Sequence, residues 1–144
     1  MSKISVVYWS GTGNTEAMAM AVASGVKAGG KEVDLVQVSS ASLDDLKEQP
    51  VFALGCPAMG AEELEDSEME PFVAEVEKFA AGKTIALFGS YSWAEGQWML
   101  DWADRMKNAG ATVLNGEGLI CYDAPDADMV AKCEELGKQM AVLL

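Results

Sequence analysis

Short apolar segments alternate with amphipathic segments along the whole chain, and this alternation limits the possible folds more than any other feature. Apolar runs of five or six residues are typical of buried strands, whereas apolar residues repeated every three or four positions are typical of helices. Strands are predicted over 4–9, 33–38, 51–55 and 84–89, with a fifth over 112–114 and 119–121 that Gly116 and Gly118 interrupt. Helices are predicted over 14–27, 42–47, 68–81, 97–109 and 125–140. Ser67 and Glu70 form a capping-box pattern before the third helix, and Pro125 is the predicted first residue of the last one.

Five strands that alternate with five helices predict an α/β fold, with a parallel sheet covered by helices on both faces. No linker, repeat or low-complexity stretch divides the chain, so residues 1–144 are expected to form a single domain. Ligands of such sheets bind beyond the carboxyl ends of the strands, where the strand order reverses. Three predicted loops fall there, at 10–15, 56–62 and 90–96.

The chain is strongly acidic, with 10 Lys and Arg against 23 Asp and Glu and a net charge of −13. A field of this sign repels nucleic acids and anionic membranes and favours protein partners with basic docking faces. The three cysteines show no disulfide or zinc pattern, and the absence of histidine removes histidine-based catalysis and metal ligation, so no metal site is predicted. With no signal-peptide pattern and no apolar run of membrane-spanning length, the cytoplasm is the expected location.

The first loop has the composition of a phosphate-binding loop at a helix N-terminus, where free N–H groups and the helix dipole attract anions. Its glycines allow close approach of the backbone, and its hydroxyl and amide side chains add donors. The candidate residues are Ser10, Gly11, Thr12, Gly13, Asn14 and Thr15. The loop lacks the Gly-Lys-Ser/Thr and G-x-G-x-x-G patterns, which favours a monophosphate bound without metal over a nucleoside triphosphate or a dinucleotide. An ordinary capped helix start is the alternative.

The second loop combines a flexible apolar side chain, a glycine and an acid. Met59 suits the face of an aromatic ring, Gly60 permits two peptide orientations, and Glu62 can accept a hydrogen bond from a ring N–H. The candidate residues are Pro57, Ala58, Met59, Gly60, Ala61 and Glu62. An ordinary turn is again the alternative.

The third loop places two large aromatic residues, Tyr91 and Trp93, outside the predicted core, and a planar ligand would account for them. Trp98 and Trp102 lie at helical spacing and are predicted to be core residues. The candidate residues of this loop are Ser90, Tyr91, Ser92, Trp93 and Gly96.

The segments VVYWSGTGNTE, LGCPAMGAEELEDSEMEPF and LFGSYSWAEGQWM resemble the short-chain flavodoxins of anaerobic bacteria. The resemblance covers essentially the whole chain and has the same order of elements. It implies a flavodoxin-like three-layer sandwich with a five-stranded sheet of order 2-1-3-4-5, one non-covalently bound FMN and a monomer.

The resemblance also implies roles for individual residues. The flavin ring would lie between Met59 on its inner face and Trp93 on its outer face, Glu62 would accept from N3–H, and Gly60 would turn its carbonyl toward a protonated N5. The phosphate would be held by Ser10, Thr12, Gly13, Asn14 and Thr15 with help from Ser90, and the pyrimidine edge by the amides of 91–93. The chain departs from many relatives at Pro57, Ala61, Ser92 and Ala94.

These features predict a low-potential one-electron carrier that shuttles between the semiquinone and hydroquinone of FMN in place of ferredoxin. One alternative is a small FMN-dependent quinone oxidoreductase of the same fold, although no insertion is present to build a substrate pocket. Another is a phosphorylatable receiver domain, which would need an acidic cluster at the strand ends and a lysine after the last strand. The first strand ends instead in Tyr8, Trp9 and Ser10, and the fifth strand has no lysine.

An acidic run follows the second loop and has two interpretations. It consists of Glu62, Glu63, Glu65, Asp66, Glu68 and Glu70. These residues are expected to form a docking face for basic redox partners, to supply favourable charge at a helix N-terminus, or to do both.

Overall fold

The computed structural model describes residues 3–93 and 95–144. Its strands and helices follow the predicted alternation. The strands are β1 (Lys3–Tyr8), β2 (Glu32–Gln37), β3 (Val51–Gly55), β4 (Thr84–Tyr91), β5 (Thr112–Val113) and β6 (Leu119–Tyr122). The helices are α1 (Asn14–Ala28), α2 (Leu43–Glu48), α3 (Met69–Val76), α4 (Gln97–Asn108) and α5 (Ala127–Val142).

All strand pairs are parallel, and the order β2-β1-β3-β4-β5 confirms the predicted fold class. The fifth position of the sheet is shared by two short strands, because β6 also pairs with β4, from Phe88↔Leu119 to Tyr91↔Tyr122. The turn between β5 and β6 contains Asn115 and Gly116 with φ of 67° and 79°. The predicted interruption of the fifth strand is therefore a turn with positive φ. On either side of this turn, β5 and β6 both pair with β4 and together form the edge of the sheet.

Side chains that alternate along the central strands fill two separate cores, one on each face of the sheet. In β3, Phe52 and Leu54 pack with residues of α3 and α4, whereas Val51 and Ala53 pack with residues of α1 and α5. Trp98 and Trp102 are buried in the first core, as their spacing predicts. Both faces of the sheet are therefore closed, and its carboxyl edge is left for a ligand.

Three boundaries differ from the sequence prediction for local physical reasons. Helix α5 begins at Ala127, two residues after the predicted start, because the Asp126 side chain accepts a hydrogen bond from the Met129 amide at 2.9 Å and caps the helix. Helix α3 ends at Val76, where bonds between residues three apart tighten the chain. Strand β4 continues to Tyr91 because β6 pairs with its end.

Within 3–93 and 95–144, none of the helices has the length and apolar character needed to cross a lipid bilayer.

We predict that Gly25→Ala destabilises the fold, because α1 and α5 pack backbone to backbone at this residue. A Cβ on Gly25 would lie 1.9 Å from the Glu134 carbonyl oxygen. The free energy of unfolding, measured by urea denaturation, is expected to fall by about 1–3 kcal/mol. Ser24→Ala, at an exposed position of the same helix, is the control. Equal stability of the two variants would contradict the prediction.

Candidate functional site

The three predicted loops meet at the carboxyl edge of the sheet, around one cavity of about 350 Å³. This volume lies within the usual range for small-molecule sites. Twelve of the predicted residues line the cavity: Ser10, Gly11, Thr12, Asn14, Thr15, Pro57, Ala58, Met59, Ser90, Tyr91, Ser92 and Trp93. Two further lining residues, Trp9 and Asp123, were not predicted.

The first loop is organised around the hydroxyl of Ser10. Its Oγ accepts hydrogen bonds from the amides of Gly13 at 3.1 Å and Glu16 at 3.2 Å, and Gly13 adopts the left-handed conformation with φ of 97°. None of the described residues accepts a hydrogen bond from the amides of Thr12 or Asn14. The start of α1 therefore presents free donors to the cavity and can bind an anion without a basic side chain.

The first and third loops are joined at the back of the cavity. The Ser90 amide donates to Thr15 Oγ1 at 3.3 Å, and the Ser90 hydroxyl donates to the Asp123 carbonyl at 2.9 Å. Thr15 accepts in this contact, so its hydroxyl proton is left for a ligand. The hydroxyl proton of Ser90, by contrast, is used within the protein.

The second loop is a short hairpin. Met59 and Glu63 exchange two backbone hydrogen bonds of 2.8 Å, and the turn between them includes Gly60 with φ of 49° and Glu62 with φ of 57°. The Gly60 carbonyl accepts a hydrogen bond from Trp93 Nε1 at 3.3 Å, which links this turn to the third loop. No atom lies within 4 Å of the position that a Cβ on Gly60 would occupy. Outside its two chain neighbours, therefore, nothing packs against the Cβ side of Gly60.

Five predicted residues do not line the cavity. Gly13 and Gly96 precede α1 and α4, where both adopt positive φ, and Gly60 and Ala61 form the turn of the hairpin. Glu62 lies against α4, where its Oε1 accepts from the Trp98 amide at 3.3 Å. Ala94, predicted to affect the third loop, lies outside the described residues.

The third loop presents its two aromatic side chains differently. Tyr91 is half-buried, with its ring centroid 5.7 Å from that of Trp98 and 5.5 Å from that of Tyr122. Trp93 is 62% exposed at the mouth of the cavity. Tyr91 is thus fixed by its neighbours, whereas Trp93 is available to cover a planar ligand.

Glu65 determines how the second loop joins α3. Only 6% of Glu65 is exposed, and its carboxylate accepts hydrogen bonds from the Ser67 hydroxyl and from the amides of Ser67, Glu68 and Met69 at 2.8–3.0 Å. Burial raises the pKa of Glu65, but these hydrogen bonds outweigh it and lower the pKa to about 2. The predicted capping box of Ser67 and Glu70 is therefore wrong, because the helix N-terminus is satisfied by Glu65 instead.

The acidic run does not form one continuous charged face. Glu65 is buried, and Glu70 forms a bidentate ion pair with Arg105, with distances of 2.6 and 2.7 Å. Glu77 also pairs with this guanidinium. The exposed part of the run consists of Glu63, Asp66 and Glu68, with Glu62 half-buried beside them.

A parallel sheet with an uncharged anion cradle and aromatic side chains at its carboxyl edge is the arrangement of a flavin-binding electron-transfer protein. The family model described as flavodoxin matches residues 6–136. The chain belongs to the flavodoxin family.

Similar proteins match nearly the full chain. The flavodoxin of Megasphaera elsdenii is 46% identical over 138 residues, which cover 96% of this chain and 98% of that one. The flavodoxin of Clostridium beijerinckii is 46% identical over 136 residues, covering 94% and 97%. A solution structure of two-electron reduced Megasphaera elsdenii flavodoxin gives a TM-score of 0.86 at 45% identity, covering 96% of this chain and 98% of that one.

Flavodoxins bind FMN and transfer electrons to and from redox partners, and they are not enzymes. Membership of this family therefore favours the predicted carrier over the quinone oxidoreductase and the receiver domain. The site fits FMN on its own chemistry, because the free amides of Thr12 and Asn14 suit a phosphate and the side chains of Met59 and Trp93 suit a planar ring.

We predict that Glu65→Gln lowers the free energy of unfolding by about 2 kcal/mol at pH 7, because it removes a charged acceptor from four donors. The folded-state pKa of Glu65 lies below its ordinary value of 4.5, so this stabilisation is present above that value. It is lost as the pH falls toward 2, and the two proteins should then converge. Chemical denaturation across this pH range measures the difference. Glu117→Gln, an exposed change of the same charge between β5 and β6, should have little effect at any pH, and a constant deficit for Glu65→Gln would refute the linkage.

Proposed function

We propose that this flavodoxin is a low-potential one-electron carrier that shuttles between the semiquinone and hydroquinone of FMN and acts in place of ferredoxin. The observation that supports the low potential is the absence of any basic side chain among the described residues that line the cavity. FMN supplies the one-electron chemistry when bound, and the protein supplies binding, orientation and electrostatics.

The start of α1 is assigned to the phosphate. The free amides of Thr12 and Asn14 and the hydroxyl proton of Thr15 are suitable donors, and Ser10 holds the loop in the required conformation through two amides. The complete set proposed for the phosphate is Ser10, Gly11, Thr12, Gly13, Asn14 and Thr15, with Ser90 behind it. A phosphate held in this way keeps its negative charge near the ring.

The second and third loops are assigned to the ring. Met59 would cover the inner face of the ring and Trp93 its outer face, and the amides of 91–93 would meet the pyrimidine edge. The Glu62 carboxylate uses Oε1 for the Trp98 amide, and among the described residues Oε2 has no hydrogen-bond partner. We assign Oε2 to the N3–H of the ring.

Gly60 is assigned to the N5 position. Its carbonyl is held by a single bond from Trp93 at 3.3 Å, and nothing packs against its α-carbon. Rotation of this peptide would offer an acceptor to a protonated N5, and such a hydrogen bond has a net value of about 0.5–1.5 kcal/mol. Such an acceptor would favour the form of the ring in which N5 carries a proton.

The low potential of the second step follows from charge. The unneutralised phosphate and the net charge of −13 both oppose an additional negative charge on the ring. The apolar surfaces of Met59 and Trp93 reduce the solvation of that charge as well.

A visible spectrum recorded during stepwise anaerobic reduction tests the proposal. The purified protein is expected to be yellow and to pass through a blue, long-wavelength intermediate before it bleaches. Titration without such an intermediate would refute the one-electron mechanism, and a protein that stays colourless after addition of FMN would refute the site assignment.

The exposed carboxylates beside the hairpin are assigned to docking of redox partners with basic faces. Glu63 and Asp66 lie close in sequence to Gly60 and are free of ion pairs within the described part of the chain. Glu68 is exposed at the start of α3 and extends the same surface. Such a surface accelerates encounter with a basic partner, and salt weakens the effect.

We predict that the double variant Glu63→Gln, Asp66→Asn slows electron transfer to a basic cytochrome c and flattens its dependence on salt. Stopped-flow rates at several ionic strengths measure both effects, and a several-fold loss at low salt is expected. The matched control is Glu48→Gln, Asp104→Asn, which removes the same charge from exposed positions of α2 and α4. Equal losses in the two double variants would show that only net charge matters.

We further propose that residues 1–144 form one FMN-binding domain, that it is a monomer and that it works in the cytoplasm. The net charge of −13 supports a monomer, because copies of the chain repel each other. Cys56, Cys121 and Cys133 are all free and buried, which supports a reducing compartment.

A further inference from the structure

Tyr8 and Glu16 lie on either side of the first loop in sequence and contact each other in the fold. Tyr8 is the last residue of β1, and Glu16 lies in the first turn of α1. The Tyr8 hydroxyl donates a hydrogen bond to Glu16 Oε2 at 2.9 Å, while the Glu16 amide donates to Ser10 Oγ at 3.2 Å. Neither Tyr8 nor Glu16 lines the cavity. The hydrogen bond therefore holds a carboxylate that is close to the first loop outside the cavity.

Tyr8 is well suited to fix the position of this carboxylate. Only 6% of Tyr8 is exposed, and its side chain packs in the core on the α1 and α5 side of the sheet. Burial and the hydrogen bond to Glu16 raise the pKa of Tyr8, so its hydroxyl keeps the proton that it donates. Within 3–93 and 95–144, no Lys or Arg side chain forms an ion pair with Glu16. The negative charge of Glu16 is therefore held by a buried neutral donor.

The position of Glu16 in α1 would otherwise bring its carboxylate into the anion cradle. Gly13 is the N-cap of α1, so Glu16 is the third residue of the helix. A Glu at this position commonly turns back to accept a hydrogen bond from the N-cap amide. That conformation would place a negative charge beside the amides of Thr12 and Asn14, which no described residue accepts. The carboxylate would then compete with a phosphate for these donors and repel it.

We propose that Tyr8 is a positioning residue of the cofactor site, whose hydroxyl keeps the Glu16 carboxylate out of the first loop and leaves that loop open to the phosphate of FMN. This inference rests on the proposed function, since it requires the phosphate to bind at the start of α1. An acid in the first turn stabilises a helix through its dipole. The contact with Tyr8 allows α1 to carry such an acid without filling its own anion site.

A double-mutant cycle of Tyr8→Phe and Glu16→Ala tests the proposal. The dissociation constant of FMN is measured by quenching of flavin fluorescence on the apoproteins of the unmodified chain, the two single variants and the double variant. Tyr8→Phe should raise it about tenfold, because the released carboxylate competes for the amides. In the Glu16→Ala background no carboxylate is present, so Tyr8→Phe should change it little. An equal rise in both backgrounds would overturn the proposal.

Riboflavin separates an effect on the phosphate from a general loosening of the fold. It has the ring of FMN without the phosphate, so its dissociation constant should be the same for Tyr8→Phe and the unmodified chain. If Tyr8→Phe weakened riboflavin as much as FMN, the hydroxyl of Tyr8 would support the cavity as a whole, and the positioning role would be wrong.

Glu16→Asp tests the same role without a change in the core. Its side chain is one methylene shorter, which withdraws the carboxylate from Tyr8 and leaves the charge beside the first loop. Glu16→Asp should therefore bind FMN more weakly than the unmodified chain, whereas Glu16→Ala should bind it at least as tightly. This comparison decides the proposal even if Tyr8→Phe does not fold, because equal binding by Glu16→Asp and Glu16→Ala would contradict it. Absence of FMN binding by the unmodified chain would refute the proposed function instead, so the two failures are distinguishable.

Discussion

The site depends on the continuation of β3–β4 pairing beyond the end of β3. The Cys56 amide donates to the Phe88 carbonyl and the Ala58 amide donates to the Ser90 carbonyl, both at 3.1 Å. Trp98 reinforces this pairing from the core, where its indole N–H donates to the Cys56 carbonyl at 3.2 Å. Because the second loop is thus tied to the end of β4, the second and third loops are held on either side of one cavity. The bond from the Ser90 amide to Thr15 adds the first loop to the same assembly.

Acidic residues serve different purposes in this chain according to what surrounds them. Glu65 is surrounded by amide and hydroxyl donors and anchors a helix start, whereas Glu70 is neutralised by Arg105. Glu63 and Asp123 are both exposed, Glu63 in the hairpin and Asp123 at the edge of the cavity. The net charge therefore does not describe what each carboxylate does, because only the exposed carboxylates are available to a partner.

Local sequence signals predicted the elements well and their ends less well. The burial of Trp98 and Trp102 followed from helical spacing, because each turn of a helix returns the same face to the core. The capping box at Ser67 failed because the Glu65 carboxylate accepts the Ser67 amide, whereas the Glu70 side chain binds Arg105. The predicted start of α5 is two residues early because Pro125 suits the first turn of a helix, whereas the Asp126 side chain defines the cap.

The sequence by itself determined the class of fold, the three loops and most residues of the cavity, since these depend on periodicity, glycines and side-chain types that are local in the chain. Only the tertiary structure determined which of these residues line the same cavity. It brought Asp123 to the cavity through the pairing of β6 with β4, and it turned Glu62 toward Trp98. The physical reason is that strand pairing and side-chain hydrogen bonds join residues more than thirty positions apart, a relation that no local pattern contains.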